Sequence, residues 1–450
     1  MSYIPNTQEE QQQMLAHLGL ASIGDLLTPV PDEVRLHRPL NLPAALPEQD
    51  LKRLMGAIAA KNKNMDTSIS FLGAGTYDRA IPSIVPHLQH RSEFVTSYTP
   101  YQPEVSQGML QAIYEFQTMV CQITAMDIAN ASLYDGSTAM VEAVLMALGP
   151  GGRGEVVISA GVDPQYRRVL QTYAFARGFS VKEVPVHNGV TSLADLDAAV
   201  GPGTAAVVVQ QPNFFGCIED MRAIEPIVHK GKTLFVSVIT EPASLGVLAP
   251  PGSYDADVVV GELMSFGNTM SFGAPALGFM AAKQKFVRLM PGRLVGQTVE
   301  ESGKKQTGYV LTLQTREQHI RRERATSNIC TNQSLLAVGT TIFLAALGKQ
   351  GFRELGELCL QKAHYAFRQI TAIPGFEALF SGPFFDEFVI KVPGSLAKLQ
   401  QHFVQASIIG GYPLRESYPG MDDCMLFCVT ETRTKEDIDL LVKVLKEARL

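Results

Sequence analysis

Four short runs constrain this chain more than anything else in it: Glu155-Val156-Val157-Ile158-Ser159, Ala205-Ala206-Val207-Val208-Val209, Thr233-Leu234-Phe235-Val236-Ser237-Val238 and Asp257-Val258-Val259-Val260. Each is apolar at consecutive positions, so both faces of an extended segment would be buried. Each is also separated from the next by enough residues for a helix. Strands apolar on both sides and joined by helices belong to a parallel sheet covered on both faces, so the segment from about 70 to 330 is expected to be an α/β domain.

The flanking segments read differently. Before residue 70, a Gln- and Glu-rich helix (Gln8 to Leu18) precedes a Pro-punctuated stretch from Pro29 to Pro47. A second helical pattern follows to Lys61, with Leu51, Leu54, Met55 and Ile58 on one face. That stretch is too apolar for a flexible linker and too broken for a domain, and it reads as an arm packed on something. After 330 the order changes to helices over Leu335 to Leu347 and Phe352 to Ile370, a strand Glu387 to Val392, a helix near Leu396 to Ala406, a strand Cys424 to Val429 and a closing helix. That last helix opens at Thr434-Lys435-Glu436-Asp437, which resembles a capping box. The expected organisation is an arm (1–69), a large α/β domain (70–330) and a small α+β domain (331–450).

Composition narrows the function classes. A formal net charge of −6, with no basic run longer than Arg321-Arg322-Glu323-Arg324, gives no electrostatic footprint for nucleic acid or an anionic membrane. The opening residues lack the basic start and apolar stretch of a signal peptide, and no uninterrupted apolar run reaches membrane-helix length, so a soluble cytoplasmic location is expected. The six cysteines contain no C-x-x-C pair, and the nine histidines show no metal-ligand spacing; reduced thiols and no metal site are expected. G-x-S-x-G, H-E-x-x-H and P-loop patterns are all missing from the sequence.

Three segments have the residue types for chemistry. In Asp135-Gly136-Ser137-Thr138-Ala139, small and hydroxylated residues stand just before an apolar-periodic helix. Free amides and the helix dipole there favour an anion, while Asp135 or Ser137 acting simply as a cap is the competing reading. Tyr98-Thr99-Pro100-Tyr101-Gln102-Pro103-Glu104 is a Pro-stiffened loop dense in aromatic and hydrogen-bonding groups. It suits a binding surface or equally a Pro-stapled turn. Thr326-Ser327-Asn328-Ile329-Cys330-Thr331 lies where the large domain passes to the small one, and its hydroxyls and amides serve either a ligand or helix caps.

Taken together, Phe71-Leu72-Gly73-Ala74-Gly75 with Tyr77-Asp78, the string Tyr98 to Gly108, and Ala325 to Thr331 resemble the P-protein of the glycine cleavage system, in its amino-terminal half or separate α subunit. The likeness extends over nearly the whole chain, including Val260-Gly261-Glu262 and Ser271 to Phe279. It implies the PLP-dependent transferase fold of the aspartate aminotransferase type, in agreement with the organisation read above. The family's reaction is decarboxylation of glycine on PLP, with transfer of the aminomethyl group to the lipoyl arm of H-protein.

The sequence departs from that pattern at the chemistry itself. Enzymes of this fold hold PLP through a Schiff-base lysine after a late strand and pair its ring nitrogen with a strand carboxylate. Gly261 to Thr269 contains no lysine, Phe235 to Ile239 contains no carboxylate, and Lys232, Lys283 and Lys285 sit in unsuitable places. The resemblance therefore implies a chain without catalytic residues of its own. It would pair as αβ or α2β2 with a homologous PLP-bearing β subunit and work with H-protein and the T- and L-proteins. In such a fold the active site lies at the subunit interface. The expected contributors are Tyr98, Thr99, Tyr101, Gln102 and Glu104, with Tyr98, Tyr101 and Gln102 as polar walls of the glycine and lipoyl channel and Glu104 as an orienting carboxylate, and Thr326, Ser327 and Asn328 as donors near the partner's phosphate. Gly136, Ser137 and Thr138 would be the relic of the chain's own phosphate cup. A purely structural subunit and a stand-alone PLP enzyme are the alternatives.

Overall fold

The computed structural model describes residues 5–149, 154–271, 275–299, 306–325 and 327–449, with the Arg316 side chain left out. Thr326 and residues 272–274 of the Ser271 to Phe279 segment lie outside them. Two compact units emerge, residues 1–63 and 64–450.

In the first unit, helix Gln8–His17 is closed at its start by a reciprocal Thr7–Glu10 box, and helix Glu48–Ala59 carries Leu51, Leu54, Met55 and Ile58, all about half exposed. None of residues 5–63 is buried. The amphipathic pattern is real, but among the described residues of this unit nothing buries its apolar face.

The second unit is built on a seven-stranded sheet of β1 (Ile128–Ala129), β2 (Glu155–Ser159), β3 (Ser180–Val184), β4 (Thr204–Gln210), β5 (Leu234–Ile239), β6 (Val258–Glu262) and β7 (Gly278–Ala282). Its spatial order is β1-β7-β6-β5-β4-β2-β3. The five strands β3-β2-β4-β5-β6 run parallel, and β7 is antiparallel to both β6 and β1. The four runs read from the sequence are the central strands. Alternation along them sorts the side chains into two cores. Val207, Val209, Phe235, Ile239, Val259 and Phe279 point to one face; Ala206, Val208, Val236, Val238, Val258 and Met280 point to the other. Helix α1 (Gln107–Thr124) contributes Phe116 and Val120 to the first core, whereas α2 (Gly136–Leu148) and α3 (Pro164–Arg177) supply Met140, Val144 and Leu170 to the second.

After β7 the chain forms a hairpin of β8 (Leu294–Val299) and β9 (Thr307–Thr312), then the long helix α4 (Ser334–Thr371). Gly348 breaks α4 with a φ of 61°, at the place where the sequence divides two helices. A four-stranded antiparallel sheet follows, in the order β10 (Glu377–Ala378), β11 (Glu387–Lys391), β13 (Cys424–Cys428), β12 (Tyr412–Pro413). The second half of α4 and the closing helix α5 (Lys435–Glu447) cover one face through Ala366, Ile370, Ile438 and Leu441 against Phe388, Ile390 and Phe427. Phe214 and Phe215, from the loop after β4, meet the other face. Thr434 and Asp437 cap α5 reciprocally, as the sequence suggests.

The parallel strands approach so closely at Gly261 that a Cβ there would lie 1.9 Å from the Ile239 carbonyl oxygen. Gly261→Ala is therefore expected to destabilise the chain by about 1–3 kcal/mol, as overpacking of a core does. Urea denaturation measures this, and an unchanged midpoint would show that β5 and β6 are spaced more loosely.

Candidate functional site

Ligands of open α/β sheets bind at the carboxyl ends of the parallel strands. Here that edge is closed by the chain itself. Arg79, on the loop that follows Phe71, is buried and reaches Glu241 just after β5, Glu431 just after β13, and Asp386 at 3.8 Å. Beside it Glu387 accepts hydrogen bonds from the Ala74 amide at 2.7 Å and the Tyr77 hydroxyl at 3.0 Å. Burial pushes the Glu387 carboxyl up to about 8. Burial, together with the Glu241 and Glu387 charges, raises Asp386 well above the carboxylate range. One guanidinium faces more carboxyls than it can neutralise, and in a dry site protonation is the remaining way to remove charge. Gly73 is required here: at a φ of 56°, a Cβ would lie 2.4 Å from both Cys428 and Glu387. The glycines and Tyr77 of the Phe71 to Asp78 motif thus serve this closure.

The start of α2 is closed in the same way. Asp135 caps it, accepting from the Ser137 and Thr138 amides at 2.8 and 2.9 Å, while the Gly136 amide donates to Glu262 at 3.1 Å. Glu262, at the end of β6, also accepts from the amides of Met264 and Leu277, and burial pushes it up to about 7 against these three donors. The residues expected as the relic of a phosphate cup, Gly136, Ser137 and Thr138, thus have the cup's amides engaged by the protein. Two carboxyl groups stand where an anion would go. The Ser237 hydroxyl, on the strand where the fold's ring-nitrogen carboxylate is sought, is 3.0 Å from the Tyr254 hydroxyl. Buried Leu263, Met264 and Phe266 occupy the segment searched for a lysine. Lys283 lies at the far edge of the sheet, 2.9 Å from Asp257 and from Asp255. Burial disfavours its charge, yet these carboxylates outweigh it and hold the ammonium above its usual range. The residues present do not fit PLP.

The same far edge gathers a histidine among acids. His229 lies between Glu225 at 2.7 Å and Asp257 at 2.8 Å, and ligand atoms of Glu225, His229 and Asp255 converge within 4.8 Å. Lys283 and Lys285 supply positive charge to the cluster's carboxylates, which makes it an ion-pair network.

A second, outward-facing site is formed by the other two motifs. Tyr98 and Tyr101 are 83% and 56% exposed, Gln102 and Glu104 are exposed, and Thr99 is half-buried. With Phe94, Val105 and Met109, the tyrosines and Thr99 line an open cleft of about 700 Å³. The following hinge is pinned to the start of α2, where the Cys330 amide donates to the Tyr134 hydroxyl at 3.1 Å. Asn332 donates to the Ala131 carbonyl at 2.9 Å and to Ser132 at 3.0 Å. Asn328 is exposed. Ser327, expected to face outward as a donor, instead accepts from the Ile329 amide at 3.1 Å and bonds to Glu142, whose carboxyl burial pushes up to about 7. A hydroxyl engaged by a buried acid is not available to a ligand.

Sequence reading missed the residue that joins the two motifs. Arg293, 3% exposed, donates to the Tyr101 hydroxyl at 2.9 Å, the Cys330 carbonyl at 2.8 Å and the Asn332 amide oxygen at 3.0 Å. A single arginine in Pro291-Gly292-Arg293-Leu294 has no periodic or motif signal; its isolation in an apolar context was the available clue.

A large mostly parallel sheet with a small C-terminal sheet and an edge closed by carboxyls defines a PLP-transferase fold without a fitting cofactor place. A sequence profile of the glycine cleavage system P-protein family matches residues 1–445. The chain is 50% identical to the probable glycine dehydrogenase (decarboxylating) subunit 1 of Anoxybacillus flavithermus, over 98% of both chains. It is 49% identical to that of Desulfitobacterium hafniense over the full length of both. A crystal structure of glycine decarboxylase (P-protein) of the glycine cleavage system, in inhibitor-bound form, superposes with a TM-score of 0.88 at 42% identity over 100% of both chains. Sphingosine-1-phosphate lyase Bpss2021 of Burkholderia pseudomallei K96243, at 14% identity and a TM-score of 0.68 over 93% of this chain and 94% of that one, shares the fold. The chain belongs to the glycine cleavage system P-protein family, on the branch of the separate subunit 1.

The closure of the strand edge gives a pH signature. Glu387 has a folded value of about 8 against an ordinary 4.5, so the folded chain keeps a proton that the unfolded chain releases. The resulting stability is complete below the unfolded value and is lost as pH rises through the folded one. Glu387→Gln, neutral at all pH values, is expected to shrink the difference between urea midpoints measured at about pH 5 and about pH 8.5. An unaltered difference would show that Glu387 is ionised in the folded chain.

Proposed function

We propose that this chain is the non-cofactor-binding α subunit of a two-chain glycine decarboxylase. In this reading a homologous β subunit holds PLP and the lysine, decarboxylates glycine and passes the aminomethyl group to the lipoyl arm of H-protein. The observation that carries it is the closed strand edge: the place where this fold keeps its cofactor is filled by Arg79, Glu387, Asp135 and Glu262. Meanwhile Tyr98, Gln102, Glu104 and Asn328 stay exposed and are the side chains we assign to the partner's site. The apolar face of the first unit favours a partner as well, because an uncovered stripe of Leu51, Leu54, Met55 and Ile58 is unusual for a monomer. A stand-alone PLP enzyme is disfavoured by the paired state of Lys283 and the filled cup.

The deciding experiment is the absorption spectrum of the purified chain with PLP, before and after borohydride, with and without the lysine-bearing homologue. We expect pigment fixed to the homologue alone and glycine-dependent CO2 release only when both chains are present. Pigment trapped on this chain by itself would overturn the assignment. Leu54→Glu is further expected to weaken association of the two chains by about 10-fold or more, as a charge in an apolar interface does; analytical ultracentrifugation reads this, and unaltered association would remove the helix from the interface.

A further inference from the structure

The outward-facing site depends on a loop that has little to hold it. Within the Tyr98–Glu104 segment and just after it, the backbone bonds are local: the Tyr101 amide to the Thr99 carbonyl, Val105 to Gln102 and Ser106 to Pro103. Gln107 ties the loop's far end to the hairpin by donating to the Pro103 and Tyr309 carbonyls. The middle of the loop is tied through the Tyr101 hydroxyl to Arg293, 192 positions away.

We propose that Arg293 is a positioning residue, fastening the Tyr98–Glu104 loop and the 327–332 segment together so that they present a single face. The proposal rests on the reading that this face serves a partner's active site. Its chemistry suits arginine specifically. The planar guanidinium reaches three acceptors in two directions, Asn332 through Nη1 and both Tyr101 and Cys330 through Nη2, while its carbon lies 5.2 Å from the Tyr101 ring centre. A lysine ammonium, a point donor, cannot span these positions. Its three acceptors are all neutral, and among the described residues its buried Nε has no partner. Burying a cation among neutral acceptors is a poor route to stability. It does fix geometry, because the fork holds a tyrosine and a backbone carbonyl from distant segments at one point. The backbone of Arg293 is held in turn, its carbonyl accepting from the Ala131 amide at 2.9 Å.

The test compares Arg293→Lys and Tyr101→Phe with the unaltered chain by amide hydrogen exchange in the isolated subunit and by glycine decarboxylation in the complex with the PLP-bearing homologue. Arg293→Lys is expected to speed exchange across 98–105 and 327–332 by about 10-fold, with β4 and α3 unchanged, as local loosening does. In the complex, kcat/KM should fall by about 10-fold, mainly through KM, because the loop must then be ordered on binding. Tyr101→Phe keeps the ring over the guanidinium and should loosen 98–105 alone, which carries the test even where Arg293→Lys fails to fold. Unchanged exchange in both variants would overturn the fastening and leave the shared-site reading intact. Faster exchange with unaltered kcat and KM would overturn the shared-site reading and the positioning role with it, leaving Arg293 a structural clasp.

Discussion

The buried guanidinium of Arg79 is the interaction on which the rest of the second unit depends. It meets Glu241 at the end of the parallel sheet, Glu431 after the last strand of the small sheet, and Asp386 at 3.8 Å. A buried ion network of this kind adds little net stability compared with apolar packing, but removing one member leaves the others charged and unpaired, at a cost of about 3–5 kcal/mol. Its effect is therefore to specify one arrangement. The loop after Phe71, the end of β5 and the start of β11 have to meet at this point, and once they do, the edge of the sheet where a ligand would enter is occupied by protein.

The excess of acids around that cation has a second consequence. Raised carboxyls at Glu387, Glu262, Asp163 and Glu142 all lie on or beside elements that carry the strand edge and the start of α2. Burial dominates each shift. A closed edge built with acids is held together partly by protons, so it is tightest at mildly acidic pH and loosens as these groups ionise.

The parallel sheet was legible because strands buried on both faces are apolar at consecutive positions, as most of β2, β4, β5 and β6 is. β3 was not, since Ser180–Val184 is an edge strand in which Ser180, Lys182 and Glu183 are exposed and only Val184 is buried. The break in the long helix was legible at Gly348, and the cap of α5 at Thr434, because those signals are local. The expected boundary at residue 330 falls just before α4, whose two halves serve the large core and the small sheet in succession. At the site, the Tyr98 and Ala325 motifs stood out as strings, but their meeting through Arg293 did not. Neither did the pairing of Arg79 with Glu241, 162 positions apart, or that of Gly136 with Glu262, 126 positions apart. Periodicity and capping rules operate within a few residues, whereas these contacts exist only after the sheet has brought its loops together.

Such contacts also explain how the start of α2 is completed by protein groups alone. The amides at the start of α2 need acceptors whether or not a phosphate is present. Asp135 supplies one locally, and Glu262 supplies the other from β6. Both are carboxyl acceptors facing the positive end of a helix, so the amides that would hold a phosphate are engaged by side chains instead. A phosphate entering there would have to displace two tethered carboxyl groups. Polar groups at the strand edge are turned toward one another, whereas Tyr98, Gln102 and Asn328 are exposed on the outer face. Behind that outer face the buried Arg293 guanidinium draws together the Tyr101 hydroxyl and the Cys330 carbonyl, two groups from segments far apart in the chain.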